Sequence, residues 1–197
     1  MKNILTFLFI AISAIAYSQD FDKNLAAAKT SYASGNLEDA RFAMQQMIND
    51  LDIAIGKELL KLLPEKLEST SFNQTSDNVT ANTGFAGVMI HRDYGTGEKL
   101  RNIDIMGNSP MIASLNAILA LPFLGNSGDG TQKVIKIDGY KGILQKNVNT
   151  ETNQQDYTLQ IPLNSTLLTL SVPDTNEADI IKIANTIPVR EIAKMVQ

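Results

Sequence analysis

Apolar residues along this chain follow three different periods in turn. From Ile4 to Ala16 they form an almost continuous run, broken only by Thr6 and Ser13. From Phe21 to Leu63 they recur every three or four residues, the spacing of one helix face. From residue 84 onward short alternating runs take over, as in half-buried strands, until helical spacing returns near the C-terminus.

The first helical stretch predicts two helices. Phe21, Leu25, Ala28 and Tyr32 lie on one face of the first, which Ser34-Gly35-Asn36 ends. Asn36 is a natural N-cap for the second, with Asp39 at its third position. Ala40, Met44, Met47, Leu51 and Ile55 then predict the buried face, and Leu59, Leu62 and Leu63 follow before Pro64. This second pattern is long enough for a helix of about 39 Å. Gly56 offers a place for it to bend.

Residues 65–83 are rich in Ser, Thr and Asn and read as a connection, with a short edge strand around Ser69 to Gln74. Phe85 to Tyr94 and Lys99 to Met106 then predict a hairpin, since the intervening glycines supply the positive φ of a tight turn. Ser109-Pro110 opens a helix that is apolar almost all round and runs to about Leu121. After a glycine-rich loop at residues 125–130, a second hairpin is expected around Asp138-Gly139. Two further strands carry Tyr157, Leu159, Ile161 and then Leu168, Leu170, Val172, with a turn at Pro162 to Asn164. Asp174, with Glu177 at its third position, predicts a capped helix that buries Ile180, Ile181, Ile183, Ala184 and Ile187. Pro188 restarts a last short one. The whole predicts an α+β fold: a helical hairpin at 19–64, a linker at 65–83, and an antiparallel sheet covered by helices at 84–197.

Two resemblances accompany this reading. Ala28-x3-Tyr32-x2-Gly35-x-Leu37-x2-Ala40 resembles the turn region of a tetratricopeptide repeat, which implies two helices brought close by small residues. The match spans one repeat of about 30 residues and lacks the aromatic that usually opens the first helix. Stacked repeats need neighbours to bury their faces, so a single one implies a hairpin that packs on the rest of the chain. From Lys133 to Gln197 the order of elements resembles the sandwich of PsbP-like exported domains, and that resemblance carries no functional residues across.

Composition changes the picture at the N-terminus first. One lysine followed by an apolar run shorter than the roughly 20 residues of a membrane span is the pattern of a secretory signal peptide, here residues 1–18. Ala14 and Ala16 permit cleavage before Tyr17, and Ala16 and Ser18 permit it before Gln19, the reading preferred because Asp20 onward is polar. A retained anchor helix is the alternative. Export predicts a periplasmic or secreted protein. With no cysteine there is neither a lipobox nor a disulfide, and the core must hold itself together.

Charge and residue type then narrow the chemistry. The leader holds one of the 17 basic residues and none of the 21 acidic ones, so its removal makes the formal charge more negative than −4. This speaks against a nucleic-acid partner, which needs concentrated Lys and Arg. A single histidine, His91, shares a strand face with Met89 and Asp93 and is expected to point outward. Zinc and copper sites want two or more His or Cys, so one His without Cys speaks against any soft-metal site within the chain, and the loop Asn126 to Asp129 lacks calcium-loop spacing. No cofactor is expected. Asp93, Glu98, Asp104 and Asp138 are the carboxylates best placed for acid–base work, should any two meet in space.

The function expected is therefore that of an exported, soluble, non-catalytic binding or structural protein. Its ligand surface is expected on the open sheet face or beside the hairpin. Met111, Ile112, Leu115, Leu119 and Phe123 form the apolar element best suited to a protein partner or apolar ligand. A carboxylate-dependent hydrolase and a homodimer built on the Ser109 helix or the hairpin are the rival readings.

Overall fold

The structure is a computed structural model that describes residues 20–81, 87–120, 130–148, 150 and 153–196. The leader, Phe85, Phe123 and most of the glycine-rich loop lie outside the described residues. The fold is α+β, with a seven-stranded antiparallel sheet and helices before, within and after it. The chain divides into two compact units, Met1–Ala54 and Ile55–Gln197.

In the first unit, α1 (residues 20–33) stops where Gly35 takes a φ of +79°, a conformation open to a residue without Cβ. Asn36 caps α2 (Leu37–Leu62) as expected, its Oδ1 accepting from the Asp39 amide at 3.3 Å. α2 buries only part of the predicted face, including Ala40 and Leu59. Ala40 and Ala43 are buried, as is Ala28 on α1, while Met44 and Leu51 are more than half exposed. Small side chains let two helices approach closely, and the bulkier residues of the predicted stripe turn away. Asn24 and Asp50 add a hydrogen bond of 3.1 Å between α1 and α2.

The second unit begins within α2, which stays unbroken through Gly56. Gly56 is a place of contact, not of bending: a Cβ there would lie 2.5 Å from Val79 Cγ1 and 2.9 Å from Val88 Cγ2. Residues 65–83, expected to be a connection, carry three short strands. β1 (Lys66–Leu67) pairs with β2 (Thr70–Ser71), and β3 (Asn78–Ala81) is the first strand of the main sheet. The sheet continues with β4 (Val88–Tyr94), β5 (Arg101–Met106), β6 (Gln132–Ile137), β7 (Tyr140–Val148), β8 (Gln155–Leu163) and β9 (Thr166–Val172). Their spatial order is β3-β4-β5-β9-β8-β7-β6.

Turn residues explain the joints. Asp138 and Gly139 both have positive φ, +49° and +91°, the requirement of a type I′ hairpin, and join β6 to β7. The β8–β9 turn falls at Asn164, with a φ of +54°, so Pro162 remains inside β8. α3 (Ile112–Ala120) starts two residues after Pro110. α4 (Glu177–Ala184) is capped by Asn176, whose side chain accepts from the Asp179 amide at 3.0 Å. The expected cap, Asp174, has a φ of +45° and lacks the extended backbone that an N-cap uses.

Alternation sorts the sheet residues into two faces. Ile90, Ile105, Leu168 and Ile161 stand in one cross-strand row of the inner face, and Ile103, Leu170, Leu159 and Leu144 in the next. All are buried, together with Leu59 of α2, Leu63 just after it, Ile180 and Ile183 of α4, and Val189 and Ile192 of α5 (Val189–Met195). Each such side chain contributes roughly 1.5–3 kcal/mol through burial.

One charged residue lies among them. Arg92 is buried and binds Asp77 through two hydrogen bonds, Nε to Oδ1 at 2.8 Å and Nη2 to Oδ2 at 2.6 Å. Its Nη1 donates to the Leu63 carbonyl, and the guanidinium lies 4.3 Å from the centre of the Phe72 ring. Beside it the Tyr94 hydroxyl donates to the Pro64 carbonyl at 2.8 Å. Burial pushes the Tyr94 phenol up to about 12, with Arg92 pulling the other way. These contacts tie the chain after α2 to β4 and leave the opposite sheet face to carry other chemistry.

Candidate functional site

The outer face is built from the residues that alternate with the core. Across β4, β5, β9 and β8 one row reads His91, Asp104, Thr169, Gln160, and a second reads Asp93, Asn102, Ser171, Thr158. A third is apolar, with Met89, Met106 and Leu167 side by side. α3 covers part of this face. Its Leu115 is buried against Ile143 and Leu167, with Ile112, Ile118 and Leu119 packed around them.

His91 is the centre of the polar rows. Strand alternation places it beside Asp93, two residues on, and the β4–β5 register sets it directly opposite Asp104. Its Nδ1 lies 2.6 Å from Asp104 Oδ1, a hydrogen bond. Its Nε2 lies 3.0 Å from Asp93 Oδ1. That oxygen is buried and has no hydrogen-bond partner of acceptable geometry, so the contact is one of charge. Asn102 Nδ2 donates to the other Asp104 oxygen at 2.5 Å. Partial burial lowers the histidine pKa, but the hydrogen bond and charge of Asp104 and the adjacent Asp93 outweigh it and hold the ring above its ordinary value.

This geometry decides what His91 can do. A general base needs a ring nitrogen with a free lone pair aimed at the substrate. Here both nitrogens face carboxylates, an arrangement that favours the imidazolium, which has no lone pair.

Next to the cluster lies a groove of about 270 Å³. Met106 and Leu167 line it from the sheet, Met89 from β4, and Met111 from the residue before α3. Asp104, Gln160 and Thr169 supply its polar side. Met89 is 40% exposed and Met111 47%. Asp93 is absent from the lining, so the groove contains one carboxylate and not a facing pair.

The residues singled out in the sequence are thus dispersed. Of the apolar element on α3, Met111 lines the groove, Ile112, Leu115 and Leu119 pack on the sheet, and Phe123 lies outside the described residues. Asp93 and Asp104 meet at His91. Asp138 accepts from the Arg190 amide at 2.8 Å and pairs with its guanidinium at 3.2 Å. Glu98 borders a separate polar hollow with Lys99 and Asp174. Met89, Met106, Leu167, Gln160 and Thr169 carried no sequence signal as a group, because only the strand register brings them together.

Among the described residues no group of three or more His, Cys, Asp or Glu is able to hold a metal ion, and no helix is long and apolar enough to cross a membrane. No known family model, curated protein or solved structure matches the chain.

Proposed function

We propose that this is an exported, non-catalytic binding protein whose ligand lies on the outer sheet face, in the groove between Met89, Met106, Met111 and Leu167. The observation that supports this reading most directly is the groove itself. Apolar side chains remain open to solvent there on a rigid sheet, beside a few convergent polar groups, which is the usual make-up of a small-ligand site. Export rests on the leader-like residues 1–18.

Catalysis is the weaker reading on the same residues. His91 has both nitrogens engaged, and the one carboxylate of the groove, Asp104, already accepts from His91 and Asn102. The expected ligand presents an apolar surface to the methionines and a donor or positive charge to Asp104.

Titration with the apolar fluorophore N-phenyl-1-naphthylamine tests this. One equivalent is expected to bind with enhanced emission, and Met111→Arg, at an exposed position, is expected to weaken binding at least tenfold, about 1.4 kcal/mol. Binding that Met111→Arg leaves unchanged would refute the site. So would hydrolysis of chromogenic esters or glycosides that Asp104→Asn abolishes.

A further inference from the structure

We infer that the groove is a binding site for a soft monovalent cation, Cu(I) or its analogue Ag(I), held by the thioether sulfurs of Met89, Met106 and Met111. This deepens the reading of the groove as the ligand site and rests on it.

Three of the chain's seven methionines line this one groove. Met89 and Met106 are direct cross-strand partners in β4 and β5. Residues in that relation have Cβ atoms about 4.5–5.5 Å apart, and both side chains project from the same face. Two sulfurs bound to one ion lie no further apart than twice the metal–sulfur bond length. Facing methionines with three free torsions each satisfy that limit without moving the backbone. Met111 borders the same groove from the chain entering α3, on a different element, so the three donors come from three positions around one space.

Packing does not account for these residues. Methionine is a good filler of irregular cores, yet Met89 and Met111 are two of the more exposed large apolar residues of the second unit. Side chains left in water fill no gap.

Charge and softness then select the ion. Thioethers are neutral, soft donors that favour Cu(I) over Mg²⁺, Ca²⁺ or Zn²⁺. Asp104 lines the groove, and behind it His91 stands between Asp104 and Asp93. Asp104 places a carboxylate in the groove wall, which favours a cation over an anion. Counting only His and Cys overlooks such a site because its donors are methionines.

The test uses the full mature chain labelled with methyl-¹³C methionine. Silver nitrate, and separately Cu(I) supplied anaerobically as its acetonitrile complex, are titrated while methyl resonances are followed and stoichiometry is read by native mass spectrometry. The expected result is one ion per chain, with the methyl signals of Met89, Met106 and Met111 shifted and those of Met44, Met47 and Met195 unmoved. Met89→Leu and Met106→Leu keep size and apolarity and are expected to weaken ion binding at least tenfold, whereas Met44→Leu, outside the groove, is expected to leave it unchanged. No uptake, shifts spread over all methionines, or affinity unchanged in both groove variants would overturn the inference. If the ion fails to bind while the fluorophore still binds the groove, the cation assignment alone falls. If neither binds, the groove itself is not the ligand site.

Discussion

His91 shows how a single side chain couples the outer face to pH. Its folded-state pKa is held above the ordinary 6.5 by Asp104 and Asp93, against the opposing effect of burial. A cation stabilised in the fold contributes fully at pH values below its unfolded pKa, and the contribution fades as pH rises through the folded one. Unfolding free energy is therefore expected to fall as pH rises above 6.5. The ring is about one-third exposed, so screening keeps the effect within about 1 kcal/mol. Urea denaturation over that rise in pH checks it: His91→Gln should flatten the profile, and an unchanged slope would remove His91 as its source. The outward orientation of His91 and its company with Met89 and Asp93 were legible in strand alternation. That Asp104 stands opposite was not, because register depends on the turn between β4 and β5.

At the scale of elements, helices and hairpins were readable where one residue dictates the backbone. Gly35, Asn36 and Asp138-Gly139 act through φ or a capping oxygen and need no partner far along the chain. Errors arose where tertiary packing decides. Ala40 is buried as its spacing predicts, but Met44 and Leu51 on the same stripe are exposed and Ala43, off it, is buried. Gly56 read as a flexible point and proves to be a contact point. Within a helix, Gly→Ala ordinarily stabilises by about 1 kcal/mol. Here the added methyl meets branched side chains, Val79 at 2.5 Å and Val88 at 2.9 Å, which must shift. Gly56→Ala is accordingly expected to destabilise by about 1–3 kcal/mol, the cost of overpacking. A denaturation midpoint equal to or above that of the parent would show that the valines yield freely.

For the whole molecule, the two units differ in what they bury. The buried apolar residues described in the first are alanines, Ala28, Ala40 and Ala43, whereas the second buries many isoleucines and leucines. Burial stabilises in proportion to apolar area removed from water, so opening is easier where only methyl groups are covered. Amide hydrogen exchange is expected to run at least a hundredfold faster in residues 20–54 than in β8 and β9. Equal protection would mean that the chain opens as one cooperative body. The sequence showed the number and kind of main-sheet strands after residue 84, but not their neighbours. Nothing local in Thr166–Val172 says that it lies between β5 and β8, since that follows from which edges remain to be covered when all strands are present.

The place of β9 has a consequence for how the protein is made. The centre of the sheet is the last strand to be synthesised, and Asn102 must wait for Ser171 before its own strand is paired on both sides. Until then the β3-β4-β5 and β6-β7-β8 portions are separate ribbons with open edges, and α4 and α5, which cover the inner face, do not yet exist. Non-local pairing of this kind is slow to form. A chain emerging from its N-terminus thus stays unlocked until nearly its full length is available. That delay leaves the facing edges of both ribbons open until β9 has been made.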